Sequence, residues 1–313
     1  MTVRSLDLLD LPLLPRFRRD LVVLDSARML THGSPLGART LLSSLDPHRL
    51  LHTALCSEEG LALMGQVLLD EDESSARLTF LSPAERINGM VLPLLDHLTA
   101  QAGEWGALYL LAEVDEDQPA FRALRQAGFA MYAGQRVWKL PAAGPAFSSA
   151  DPWQPVDDLD WSGVQSLHAQ IVPALLQPVD ALPKRGSGLV CRMDGTPQAY
   201  MGVKRAAKGI WLQPLVPPDS ACPAERLAGL ANLSAGGTQL PIYLCVRSYQ
   251  AWLESALSEL GAEPGPQQAV MVKRLTRTVR EAQLVRAPEK NLAKAKPAAP
   301  MARVESGSSN KIR

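Results

Sequence analysis

Glu113 closes the apolar run Ala107–Ala112, a position from which a carboxylate can take a proton from an amine. The same position suits a merely solvated strand end. A second segment with chemical potential is Pro83-Ala-Glu-Arg86-Ile-Asn-Gly89-Met-Val91, set between an apolar strand and an amphipathic helix pattern. A glycine there lets backbone come close to a phosphate, and the free N–H groups of a helix N-terminus bind anions. The acids Asp70–Glu73 could attract a cationic amine, or simply solvate a hairpin tip. His32, His48 and His52 lack an acidic or Cys partner at ligand spacing, and the four cysteines (56, 191, 222 and 245) form no CxxC pair. No metal site and no disulfide framework are expected.

These residues need elements to hold them. Thr2–Leu6 reads as a strand, and LPLLPRFRRDLVVLDSARML as a helix broken near Pro12 and Pro15. Leu50–Cys56, Leu61–Leu69 and Ala76–Leu81 read as neighbouring antiparallel strands, the first two joined at SEEG. Gly89–Gln101 carries a helical apolar pattern, and Ala107–Ala112 that of a strand buried on both faces. A helix with Phe121, Leu124 and Ala127 on one face stops at Gly128, and Gln135–Leu140 closes the unit.

The strand–helix–Gly–strand order then recurs. Tyr109 and Tyr243 are offset by 243 − 109 = 134, Gly128 and Gly261 by 133, and Lys139 and Lys273 by 134. An echo in near-constant register indicates two related units in one chain. The second unit adds a helix over Val164–Leu176, strands around an Asp194-Gly195 turn, a strand over Ile210–Val216 and a helix over Ala224–Leu233. Trp161, Trp211 and Trp252 are expected as core anchors, or as the wall of an acceptor cleft.

The segment Pro83–Val91 resembles the acyl-CoA pyrophosphate loop of the GNAT N-acetyltransferase superfamily, Gln/Arg-x-x-Gly-x-Gly/Ala, and Ala127-Gly128-Phe129 resembles that family's closing Leu-Gly-Phe. The resemblance implies an α+β fold of two tandem GNAT-like units, each a mixed, mostly antiparallel sheet flanked by helices. It implies acetyl-CoA as acyl donor, held by Arg86, Ile87, Asn88, Gly89, Met90 and Val91, with a backbone N–H at Leu81 polarising the thioester. Val91 stands where Gly or Ala is usual. Leu124 stands where many members have the Tyr that protonates the departing thiolate. Tyr132 could supply that proton and Glu113 the base. The second unit lacks the loop and has Leu257 at the Tyr position, so it reads as degenerate. The functions implied are N-acetyl transfer to an amine of unknown identity, acyl-CoA binding without turnover, or a non-catalytic interaction module.

Composition fits that frame. The 313 residues are 46% hydrophobic and 20% charged, with no run of the roughly 18 apolar residues a membrane span needs. The expected organisation is 1–141, a Pro/Ala/Ser-rich linker over 142–155, a second domain over 156–276, and a basic tail over 277–313. From Thr276 onward nine Lys or Arg face three Glu, and so sparse a charge argues for a solvating, disordered tail rather than nucleic-acid binding. A cytoplasmic location is expected, and a homodimer is left open.

Overall fold

The computed structural model describes residues 1–37, 49–71, 73–141, 153–182, 185–220, 223–230 and 240–275. Residues 142–152 of the linker expected over 142–155, the basic tail, His48 and Cys222 lie outside them, while residues 153–155 of that segment form a short strand. The strands are β1 (Thr2–Ser5), β2 (Val22–Val23), β3 (Arg49–Glu58), β4 (Leu61–Asp70), β5 (Ser75–Ser82), β6 (Tyr109–Asp115), β7 (Ala130–Lys139), β8 (Trp153–Pro155), β9 (Leu189–Met193), β10 (Thr196–Ala206), β11 (Gly209–Leu215), β12 (Ile242–Arg247) and β13 (Glu263–Arg274). The α-helices are α1 (Leu14–Phe17), α2 (Ser26–His32), α3 (Ile87–Glu104), α4 (Pro119–Gln126), α5 (Trp161–Ile171), α6 (Pro223–Gly229) and α7 (Leu253–Glu259).

All the strands join one mixed, mostly antiparallel sheet in the order β1-β3-β4-β5-β6-β13-β7-β12-β11-β10-β9-β8, with β2 attached to β5. β13 pairs antiparallel with both β6 and β7, while β7 pairs with both β13 and β12. Each half therefore lends its last strand to the other. The sequence echo becomes a near two-fold in the sheet, since Lys139 lies opposite Tyr243 and Arg274 opposite Tyr109.

Local chemistry explains the elements. Glu59 and Gly60 both have positive φ (49° and 80°), the conformation of a two-residue hairpin turn whose twist suits the flanking strands β3 and β4. Gly128 and Gly261, at φ 87° and 73°, end α4 and α7 at equivalent places. Along α3, Ile87, Met90, Val91, Leu94, Leu95, Leu98 and Ala102 are buried at helical spacing against the sheet. Burying each larger side chain contributes roughly 1.5–3 kcal/mol. Leu110, Ala112 and Val114 of β6 face this core, while Leu111 faces a second cluster with α5. In the other half α6 and α7 cover the sheet through Leu227, Leu253 and Leu257.

The region 18–25, expected as helix, contains a strand. Leu21 to Leu24 cannot be told from a helical turn by its apolar run alone, and the pairing to β5 decides it. No described helix is long and apolar enough to cross a membrane.

Strand exchange has a direct consequence. Residues 1–141 expressed alone would leave the inner edges of β6 and β7 without β13. We expect this fragment to show no cooperative thermal transition by circular dichroism, and co-expression with residues 142–278 to restore one. A cooperative transition in the lone fragment would show that the exchange is dispensable.

Candidate functional site

The parallel strands β5 and β6 pair only over Ser75–Tyr109, Ala76–Leu110 and Arg77–Leu111. Beyond that point an opening lies between them, and backbone groups along its edges must find partners. The chain itself supplies them. Val22 and Val23 pair with Leu81 and Phe80 of β5. The Leu24 N–H donates to the Thr79 carbonyl at 3.0 Å, and the Leu24 carbonyl accepts from the Glu113 N–H at 2.8 Å, so Leu24 bridges both strands. Because antiparallel pairs alternate, the bonded pair Leu24–Thr79 makes Val22–Leu81 a bonded position too.

The same segment reaches the start of α3. The Asp20 carbonyl accepts from the Ala84 N–H at 3.3 Å, and its Oδ2 from the Glu85 N–H at 3.5 Å. The Ser82 hydroxyl donates to the Phe17 carbonyl at 2.6 Å. Residues 84–86 form a single 3-10 turn leading into α3. Ile87, Met90 and Val91 point into the core, so the Val91 side chain is turned away from the exposed Gly89. A Cβ built on Gly89 meets no atom within 4 Å. Pro93, four residues on, cannot donate to the Gly89 carbonyl as a helical residue would. Arg86 is half-buried, its Nε 3.6 Å from Glu85. Asn88 contributes its backbone to the first turn of α3.

The second half has the same opening. β11 and β12 pair over Ile210–Ile242, Trp211–Tyr243 and Leu212–Leu244. Here a side chain closes the gap. The buried Gln250 (1% exposed) donates from Nε2 to the Pro214 carbonyl at 2.8 Å and accepts at Oε1 from the Val216 N–H at 3.1 Å.

No family model matches the sequence, and no curated protein matches it. Solved structures do resemble the fold. A tandem GNAT protein from the clavulanic acid biosynthesis pathway superposes with a TM-score of 0.51 over 87% of this chain and 98% of its own, at 15% identity. A GCN5-related N-acetyltransferase from Sphaerobacter thermophilus gives a TM-score of 0.53 over 87% and 95%, also at 15% identity. This chain has a tandem GNAT fold. At such identity the likeness fixes architecture and leaves the chemistry to the residues.

Within that GNAT fold, Glu113 does not stand past the end of its strand. It lies inside β6, 3% exposed, with Oε2 accepting from the Ser26 N–H at 3.0 Å and Oε1 3.9 Å from both Arg77 and Arg247. Tyr132 is half-buried against the α5 cluster, on the face of the sheet away from α3. Glu113 shares the parity of Leu111, so the structure sets both residues apart from the core face of α3. Leu124 and Leu257 are fully buried core residues. His97 is half-buried with Nε2 3.0 Å from that of His52. Among the described residues there is no cluster of three metal-ligating side chains.

Sequence reasoning missed the polar seam at the centre. The offset 247 − 113 = 134 makes Arg247 the counterpart of Glu113, and these two meet across the near two-fold. Gln135 and Gln268, offset by 133, also meet, Nε2 to Oε1 at 2.8 Å. Arg247, 6% exposed, also bonds Gln135 and lies 3.2 Å from Asp180, which accepts from Gln213 and the Tyr249 hydroxyl. Burial alone would push the Asp180 carboxyl up. Arg247, Tyr249 and Gln213 outweigh it and hold the carboxyl below its usual range. Burial pushes the Cys245 thiol up to about 12, so it is an inert neighbour rather than a nucleophile.

Asp180→Asn should destabilise the protein by about 3–5 kcal/mol, because the more distant Glu113 is then the one carboxylate left within 4 Å of Arg247 among the described residues. A carboxyl with a depressed folded-state pKa contributes its full stability above the unfolded value, near 4, and loses it as pH falls further. Urea denaturation from pH 7 to 3 should therefore show a steeper acid loss in the wild type than in Asp180→Asn. The variant keeps some slope, since Arg4 holds Asp10 at about 2. Equal slopes would remove Asp180 from the acid response.

Proposed function

We propose that this chain is a binding protein on a tandem GNAT fold that transfers no acetyl group while residues 20–26 hold their place. The pairing of Val22–Leu24 with the β5 edge carries this reading. The N–H of Leu81, which would polarise a thioester, sits at a bonded position opposite Val22. In this conformation the groove residues do not fit acetyl-CoA. Two further features agree. Leu124 and Leu257 have no proton to give, and Glu113 is held between two guanidinium groups.

One observation favours a second reading, an N-acetyltransferase using acetyl-CoA and an unidentified amine. The exposed face at Gly89 has no protein reason to lack a side chain. Gly costs about 1 kcal/mol relative to Ala inside a helix, and no neighbour requires it. A ligand phosphate would account for it if residues 20–26 withdrew.

Calorimetric titration with acetyl-CoA and CoA separates the two. We expect no saturable binding to the wild type. Micromolar binding at one site per chain, with acetyl release to an amine, would overturn the non-acetylating reading. In that event Gly89→Glu should abolish binding and leave the melting temperature unchanged, because its side chain enters open space.

A further inference from the structure

The polar seam opens into a cavity of about 260 Å³ walled by both halves of the sheet and by α2. Sites for drug-sized ligands run to roughly 300–1,000 Å³, so this one suits something smaller, and CoA does not fit it. Its wall carries six Lys or Arg and four Asp or Glu, an excess of two positive charges with His32 neutral. The excess is not spread evenly. Arg28 is satisfied by Asp70 at 2.6 Å, and Arg247 by Asp180 at 3.2 Å. Arg77 differs. Its nearest carboxylates, Glu73 and Glu113, stand at 3.8 Å and 3.9 Å, beyond hydrogen-bond reach, and no described residue accepts a hydrogen bond from it.

A guanidinium has five donors in a planar fork that matches the oxygens of a carboxylate or phosphate. Arg77 is 23% exposed, and it lines the cavity. Lys204 of β10, 61% exposed and 3.9 Å from Glu73, adds a positive charge from the other half. We propose that this cavity binds a small dianion, of the chemistry shared by phosphate esters and dicarboxylates, with Arg77 as its bidentate anchor and Lys204 closing over it. The proposal extends the binding-protein reading above by giving it a ligand class.

The test uses the full chain at low ionic strength, titrated in parallel with inorganic phosphate and with succinate, and read by calorimetry and thermal shift. One saturable site per chain with an affinity of about 1 mM or better is expected for at least one anion. Binding of phosphate alone would assign the phosphate-ester source, binding of succinate alone the dicarboxylate source, and binding of both the shared chemistry. Arg77→Gln should weaken binding roughly tenfold or more, Arg77→Lys less, since a point charge keeps attraction but not the fork. Should Arg77→Gln fail to fold, Lys204→Gln at the exposed mouth should still weaken binding several-fold. Lys139→Gln, an exposed cation elsewhere, should leave it unchanged. No saturable site for either anion, or equal affinity in Arg77→Gln, would overturn the proposal. Neither result depends on the acyl-CoA titration, so the two readings fail separately.

Discussion

Each half of the sheet is completed by a strand from the other, and much else follows from that. β13 fills the space between β6 and β7, so the hydrogen bonds of three central strands exist only when both halves are present. The exchange brings β6 and β12 to mirrored positions either side of the β13–β7 pair. It thereby carries Glu113 and Arg247 to the middle of the molecule. Each also has a partner within its own half, Ser26 for Glu113 and Asp180 for Arg247. Their burial is a cost of the exchange, and the surrounding Gln135, Gln268, Asp180 and Tyr249 offset it by supplying bonds that water would otherwise make.

The same architecture leaves two openings where parallel strands stop pairing. Edge N–H and C=O groups inside a protein must bond to something, whether water, ligand or protein. Here the two halves answer differently. The first uses three residues of backbone, with Leu24 reaching both strands, and the second a single amide, Gln250. The amide of Gln250 offers one donor and one acceptor in the spacing of a peptide group, so one side chain can stand in for a short strand. That two unrelated solutions fill equivalent places indicates that filling them matters to this protein. The loop at Arg86–Val91 therefore cannot be read alone, because its partner groove is already taken.

The tandem α+β architecture was legible from the chain because apolar periodicity and glycine stops are local signals, and the 134-residue offset needs only the sequence compared with itself. What was not legible is long-range. Nothing around Glu263–Arg274 reports that this strand pairs with β6, more than 140 positions earlier, rather than with its own half. Val22–Val23 is too short to show alternation, so a helical pattern absorbed it. Glu113 looked like a free base because sequence cannot show Ser26, Arg77 and Arg247 converging on it. The offset did contain the missing clue. Applied to charged residues as well as to the tyrosines, it pairs Glu113 with Arg247 before any coordinates are consulted.

That pairing bears on how a duplicated fold chooses its partner. Two identical units meeting about a two-fold axis place a residue that lies at the axis near its own copy. A carboxylate at the axis would then face a carboxylate, and a guanidinium a guanidinium. With little solvent between them, either arrangement costs several kcal/mol. Glu113 in one half and Arg247 in the other turn repulsion into attraction, but only for the unlike pairing. An association of two first halves about the same axis would set Glu113 against Glu113 there, and one of two second halves Arg247 against Arg247. The divergence thus does more than stabilise the native sheet. It disfavours the swapped assemblies that strand exchange makes available, because specificity is a difference between the wanted pairing and its competitors. The glutamines follow a different logic. An amide is its own complement, donating from one end and accepting at the other, so Gln135 and Gln268 could stay identical across the axis while the charged pair could not.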